Sequence, residues 1–124
     1  MKTILTVEES QRLIDLGVDP KMASEWDIVD TTDENDPNSF LDYEEYPIFS
    51  LTNLLSILPK EIKIHRDGDN LSMIYHCGQW RVGYTNCAEY CNHTKVASEL
   101  IDALNSLLIW CLTEKKINLN QKEQ

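Results

Sequence analysis

The feature that most constrains this chain is an apolar stripe near its end. After Thr94, a candidate N-cap, apolar residues fall at Val96, Leu100, Ile101, Leu104, Leu107, Leu108, Cys111 and Leu112. Recurrence at three and four residues puts them on one side of a helix. The pattern predicts about five turns, ~30 Å long. A helix with so wide an apolar stripe has to bury it, so the rest of the chain must supply a platform.

The platform lies just upstream. Trp80, Val82 and Tyr84 alternate with Arg81, Gly83 and Thr85, the period-two signature of a strand with one wet face. Leu71 to His76 reads as a second strand, joined to the first by a tight return at Cys77-Gly78-Gln79. Ile62 and Ile64 alternate with charged residues before the turn signal Asp67-Gly68-Asp69-Asn70, which makes a third strand. A three-stranded antiparallel meander is expected. Trp80 and Trp110 then pack between sheet and long helix, and Cys111 is a core thiol.

Two shorter helices close the core. Thr6 and Glu9 match a capping box and Gly17 sits where a helix ends left-handed, which predicts helix over 7–16. Asp19-Pro20 restarts the chain with a short helical turn. Ser50 caps Leu51, Leu54, Leu55 and Leu58, and Pro59 stops that helix near 58. The fold class is α+β, one domain over 1–114 with a polar, frayed tail at 115–124.

Charge is unevenly placed. The formal net charge is −10. Nine of the acids lie between Glu25 and Ser50, a stretch with no lysine or arginine, while the rest of the chain has twelve acids against eleven bases. A phosphate backbone is repelled by such a surface, so nucleic acid is not an expected partner. Residues 27–46 read as a long acidic loop, since Asp33 to Ser39 is polar, contains proline and has no period. A calcium loop starting at Asp33 fails at Pro37 and lacks its glycine. Asp42, Tyr43, Glu44, Glu45 and Tyr46 mix acids with aromatics, a combination that suits docking on a basic, partly apolar protein surface. The alternative is that Tyr46, Ile48 and Phe49 join the core while the acids face water.

No apolar run approaches the ~18 residues of a membrane span, and Met1 to Glu8 lacks a secretory signal pattern. Four cysteines are too few for a disulfide scaffold, so a reducing cytoplasm is expected. His76, Cys77, Cys87, Cys91 and His93 fall within eighteen residues. Cys77, Cys87, Cys91 and His93 form one four-ligand set for zinc, with His76 an alternative to Cys77. The spacing matches no standard finger, and unrelated loop cysteines are the alternative. Cys91 with His93 lacks a third group and an oxyanion hole, so no catalytic constellation is assigned and no organic cofactor is implied.

Four segments carry a family resemblance: Leu5 to Lys21, Phe49 to Ile62, Trp80 to Tyr84 and Ser98 to Trp110. The block Leu54-Leu-Ser-Ile-Leu-Pro-Lys-Glu-Ile62 is its most specific part. Together they resemble a group of short uncharacterised proteins of gut Bacteroidota, their phages and mobile elements. The acidic loop and the Cys-rich stretch at 86–93 are outside that pattern. The resemblance brings no activity; it implies an accessory role of phage or prophage type. A small acidic accessory protein acting by protein–protein interaction is the expected function, with a zinc-stabilised module and a small enzyme as the other options.

Overall fold

The computed structural model describes residues 1–30, 35, 43–62, 69–85 and 91–114. In chain order they form α1 (Val7–Asp15), a 3-10 turn (Pro20–Met22), β1 (Glu25–Asp30), β2 (Tyr43–Ile48) and α2 (Leu51–Ile57). Then come β3 (Glu61–Ile62), β4 (Asp69–His76), β5 (Gln79–Thr85), β6 (Cys91–Ala97) and α3 (Leu100–Thr113). The α+β class stands: a two-stranded ribbon, β1–β2, and a four-stranded sheet in the order β3-β4-β5-β6.

Local chemistry sets the helix ends. The Glu9 N–H donates to Thr6 Oγ1 at 3.1 Å and the Thr6 N–H donates to Glu9 Oε1 at 2.9 Å, a full capping box. At the other end Val18 N–H reaches the Leu13 carbonyl and Gly17 N–H the Ile14 carbonyl, both at 3.0 Å. That is a Schellman closure, and Gly17 at φ +115° supplies the left-handed residue it needs. In α2, Asn53 takes the role that glutamate has in α1, with Ser50 N–H donating to Asn53 Oδ1 at 2.8 Å.

The sheet is built from hairpins. Cys77 (φ 52°) and Gly78 (φ 76°) both sit in the left-handed region, as a two-residue type I′ turn requires. Register puts Met73 opposite Val82 and Tyr75 opposite Trp80, and β6 adds Lys95 and Ala97 on the far side of the same two rows. Val82 and Tyr84 are fully buried and Trp80 is half-buried. α3 lies against β5 and β6 and touches α2. Leu104, Leu107, Leu108 and Cys111 have no exposed surface, so helix and sheet enclose one dry interior.

Three expectations are corrected. The meander has a fourth strand, β6. The long helix does not begin after Thr94: Thr94 and Val96 belong to β6, and α3 starts at Leu100 with four turns, ~21 Å. Val96 mimics the stripe because it stands four residues before Leu100. The segment 27–46 is not one loop, since its ends are paired strands with Trp26 opposite Pro47 and Ile28 opposite Glu45. Residues 36–42 and the expected turn at 67–68 lie outside the described residues.

The first residues are pinned across the fold. Lys2 Nζ donates to Glu9 Oε1 at 3.0 Å and to Asp102 Oδ1 at 2.8 Å, and the Lys2 N–H donates to Glu99 Oε2 at 2.9 Å. The Asp102 bond raises the Lys2 pKa; burial opposes it and Glu9 adds to it. Burial would push the Glu9 carboxyl up, but the Thr6 N–H and the Lys2 ammonium outweigh it and hold it below its usual 4.5. A carboxyl held low stabilises the fold above its unfolded pKa and loses that contribution as pH falls through the folded one. Lys2→Met is therefore expected to cost about 0.5–1 kcal/mol at pH 7. The cost should shrink towards zero at pH 3, as read from urea midpoints of both chains at both pH values.

Candidate functional site

The β1–β2 ribbon carries Glu25, Asp27, Glu44 and Glu45 on a short, exposed frame. Residues opposite one another in a ladder share a face. Glu25 with Ile48 and Asp27 with Tyr46 therefore make one face, and Trp26 with Pro47 and Ile28 with Glu45 make the other. Ile48 is buried and Tyr46 half-buried, so the first face is the one applied to the body of the fold. The second face looks away from it. On that face Trp26 is 50% exposed and Ile28 62% exposed. Glu45 is exposed beside them, and Glu25, Asp27 and Glu44 are exposed on the first face.

The ribbon is anchored rather than loose. Ser24 N–H and Oγ both donate to Asn53 Oδ1, at 3.1 and 3.0 Å, tying the start of β1 to the first turn of α2. The Phe49 N–H, just past β2, donates to the buried Ser10 Oγ at 3.1 Å. Leu5 N–H donates to the Phe49 carbonyl at 2.9 Å, which brings the N-terminal segment alongside. An open groove of ≈ 440 Å³ runs between that segment and β1, with Ile4, Thr6, Trp26 and Asp27 among its walls. A second open groove, ≈ 430 Å³, separates Tyr46 from Glu8, Arg12 and Asp15 of α1. The Tyr46 hydroxyl donates to the Glu44 carboxylate, and that bond, with the carboxylate charge, raises the Tyr46 pKa.

The expected partner-binding residues are thus brought to one ribbon where they are described. Glu44 and Glu45 face solvent and Tyr46 leans on the body. Asp42 lies outside the described residues, as does the side chain of Tyr43. Ile48 and Phe49 joined the core as the alternative foresaw. Sequence reasoning missed Trp26 and Ile28, although Trp26-Asp-Ile28 already alternates with period two.

The four-ligand zinc set does not come together. Cys77 sits in the β4–β5 turn beside the His76–Gln79 pair, while Cys91 pairs with Thr85 and His93 with Tyr84 at the opposite end of β5. Five to six residues of strand separate the two groups, roughly 17–20 Å. One tetrahedral ion with bonds of ~2 Å cannot span that distance. Both Cys77 and its alternate His76 drop out of the set for the same reason. Cys87 lies outside the described residues, as do the side chains of Cys91 and His93. Among the described residues no group of three His, Cys, Asp or Glu is placed to hold a metal ion.

Among the described residues no helix is long and apolar enough to cross a membrane. Comparison with known proteins finds no matching family model, no matching curated protein and no matching solved structure.

Proposed function

We propose that this chain is a non-enzymatic binding protein that docks its β1–β2 ribbon on a basic, partly apolar surface of another protein. The observation that carries the reading is the outer face of the ribbon, where Trp26 and Ile28 stand at least half exposed beside Glu45, with Glu25, Asp27 and Glu44 exposed on the other face of the same two strands. An exposed tryptophan beside an isoleucine is the kind of anchor that dominates interface energetics once desolvated. The acids of the ribbon, with no lysine or arginine between residues 25 and 50, would steer a basic partner and turn away nucleic acid. The resemblance noted in the sequence would make this an accessory role of phage or mobile-element type.

Capture from a host lysate, followed by titration with the captured protein, tests the reading. Trp26→Ala is expected to weaken binding about tenfold or more. Asp42→Asn, Glu44→Gln and Glu45→Gln together should slow association and flatten its salt dependence, because long-range attraction is what salt screens. A partner held equally well by both variants, or the lack of any partner released by salt, overturns it.

A further inference from the structure

We propose that two copies of this chain pair through the outer edges of their β4 strands, about a two-fold axis at Ile74, to form one continuous sheet in the order β6-β5-β4-β4-β5-β6, with each two-residue β3 remaining on its own β4.

The backbone sets the register. Leu71 N–H donates to the Lys60 carbonyl at 2.8 Å, so Leu71 turns its main-chain groups towards the β3 side. Main-chain groups alternate along a strand, so Met73 and Tyr75 point the same way while Ser72 and Ile74 point to β5. Yet β3 is two residues long and pairs only with Asp69 and Asn70. Among the described residues, β4 has no strand neighbour on that side from Ser72 to His76. Antiparallel pairing with a second β4, centred on Ile74, sets Met73 against Tyr75 of the second copy and Tyr75 against its Met73. Each is a hydrogen-bonded pair, so four main-chain bonds close at once. The two Ile74 residues meet as the non-hydrogen-bonded pair on the axis.

The side chains fit the same operation. Met73 and Tyr75 lie on the core face of the sheet, in the rows of Val82 and Trp80. A helix ~10 Å across covers about two strands at ~4.8 Å spacing. α3 covers β5 and β6; on the core face of β4, Leu71 packs against the core, while Met73 and Tyr75 are left exposed among the described residues. Met73 is 42% exposed, Tyr75 59%, and Ile74 on the opposite face 56%. The Tyr75 ring already leans on Trp80, with ring centroids 5.1 Å apart. Pairing brings the two exposed strips together and sets each Met73 thioether beside a tyrosine ring, a favourable contact.

Charge selects a second copy as the occupant. Leu71 to His76 contains no acid, lysine, arginine or proline, the residues that normally guard an open edge. With a net charge of −10, most surfaces of this chain repel their own kind. This neutral strand does not, and an edge that meets itself closes into a dimer without growing further. The strip is short, so the interface lies at the small end of specific interfaces, below ~1,200 Å² in total, and the dimer should dissociate on dilution.

Sedimentation velocity over a concentration series is the first test. A monomer–dimer equilibrium is expected, its dissociation constant raised at least tenfold by Tyr75→Lys or Met73→Lys. Register is tested by Ile74→Cys in a Cys77→Ser background. Non-hydrogen-bonded partners have Cα atoms ~4.5 Å apart, within disulfide range, so this variant should oxidise to a covalent dimer. Ser72→Cys in the same background should not. Hydrogen exchange gives a readout that does not depend on the variants: the Met73 and Tyr75 amides should exchange fast in dilute protein and slowly in concentrated protein. A monomer at every concentration overturns the proposal. So does a dimer unaffected by Tyr75→Lys, or slow Met73 and Tyr75 exchange in the monomer, which would mean the chain caps its own edge.

Discussion

Leu104→Ala is expected to lower the unfolding free energy by about 3 kcal/mol, within the 2–5 kcal/mol range of buried leucine truncations. Leu104 has no exposed surface and belongs to the same buried cluster as Val82, Tyr84, Leu54 and Phe49. Truncation there removes apolar contact and leaves a void that rigid neighbours on both layers cannot fill. Ser106, two residues on, is exposed on the same helix. Ser106→Ala should change stability by less than ~0.5 kcal/mol, which separates packing from helix propensity. Urea unfolding reads both: Leu104→Ala should shift the midpoint while leaving the slope unchanged. Equal effects at 104 and 106 would mean that α3 and the sheet do not enclose a dry layer.

That layer was legible because its signals are local or strongly periodic. Thr6 and Glu9 find each other three residues apart, and Leu13 closes on Val18 through Gly17. Such devices need no knowledge of the rest of the fold. The inner stripe of α3 repeats over four turns, and Trp80, Val82 and Tyr84 alternate cleanly. β6 has neither property. Lys95 stands in the row of the buried Val82, the exposed Val96 stands on the other face, and the register slips near Tyr84, so hydrophobicity does not alternate along the strand. An edge strand earns its place from main-chain bonds to β5, and those are long-range facts. The β1–β2 ribbon hid for a related reason. Aspartate and glutamate are poor strand formers, and here they surround the residues that carry the signal. Trp26 and Ile28 can sit in a strand because Pro47 and Glu45 lie across from them, seventeen or more positions along the chain. The acidic segment therefore announced its charge but not its apolar face, and the candidate site was half visible.

Tyr84 sets how the fold should respond to alkali. The residue is fully buried and its hydroxyl donates to the Pro59 carbonyl at 2.7 Å, joining β5 to the chain just after α2. Burial, and then the neighbouring Cys111 thiol, push the Tyr84 hydroxyl far above its usual value of 10.0. An acid whose folded pKa is raised contributes its full stability below the unfolded pKa. Above that value the unfolded chain releases the proton and the folded chain keeps it. Stability should then fall by up to about 1.4 kcal/mol for each pH unit above 10. Tyr84→Phe separates the two roles of the hydroxyl. At pH 7 it should cost about 1 kcal/mol, because the partly buried Pro59 carbonyl loses its partner. Above pH 10 the variant lacks this ionisation, so its stability should decline less steeply and the gap between the two chains should close near pH 11. Urea midpoints from pH 7 to pH 11.5 measure both effects. In the folded protein, ultraviolet titration should show a tyrosine that ionises only with the unfolding transition in the parent chain and is missing from Tyr84→Phe. A constant gap between the two chains across this range would show that Tyr84 ionises within the fold, and the joint between sheet, α2 and α3 would then be open to water.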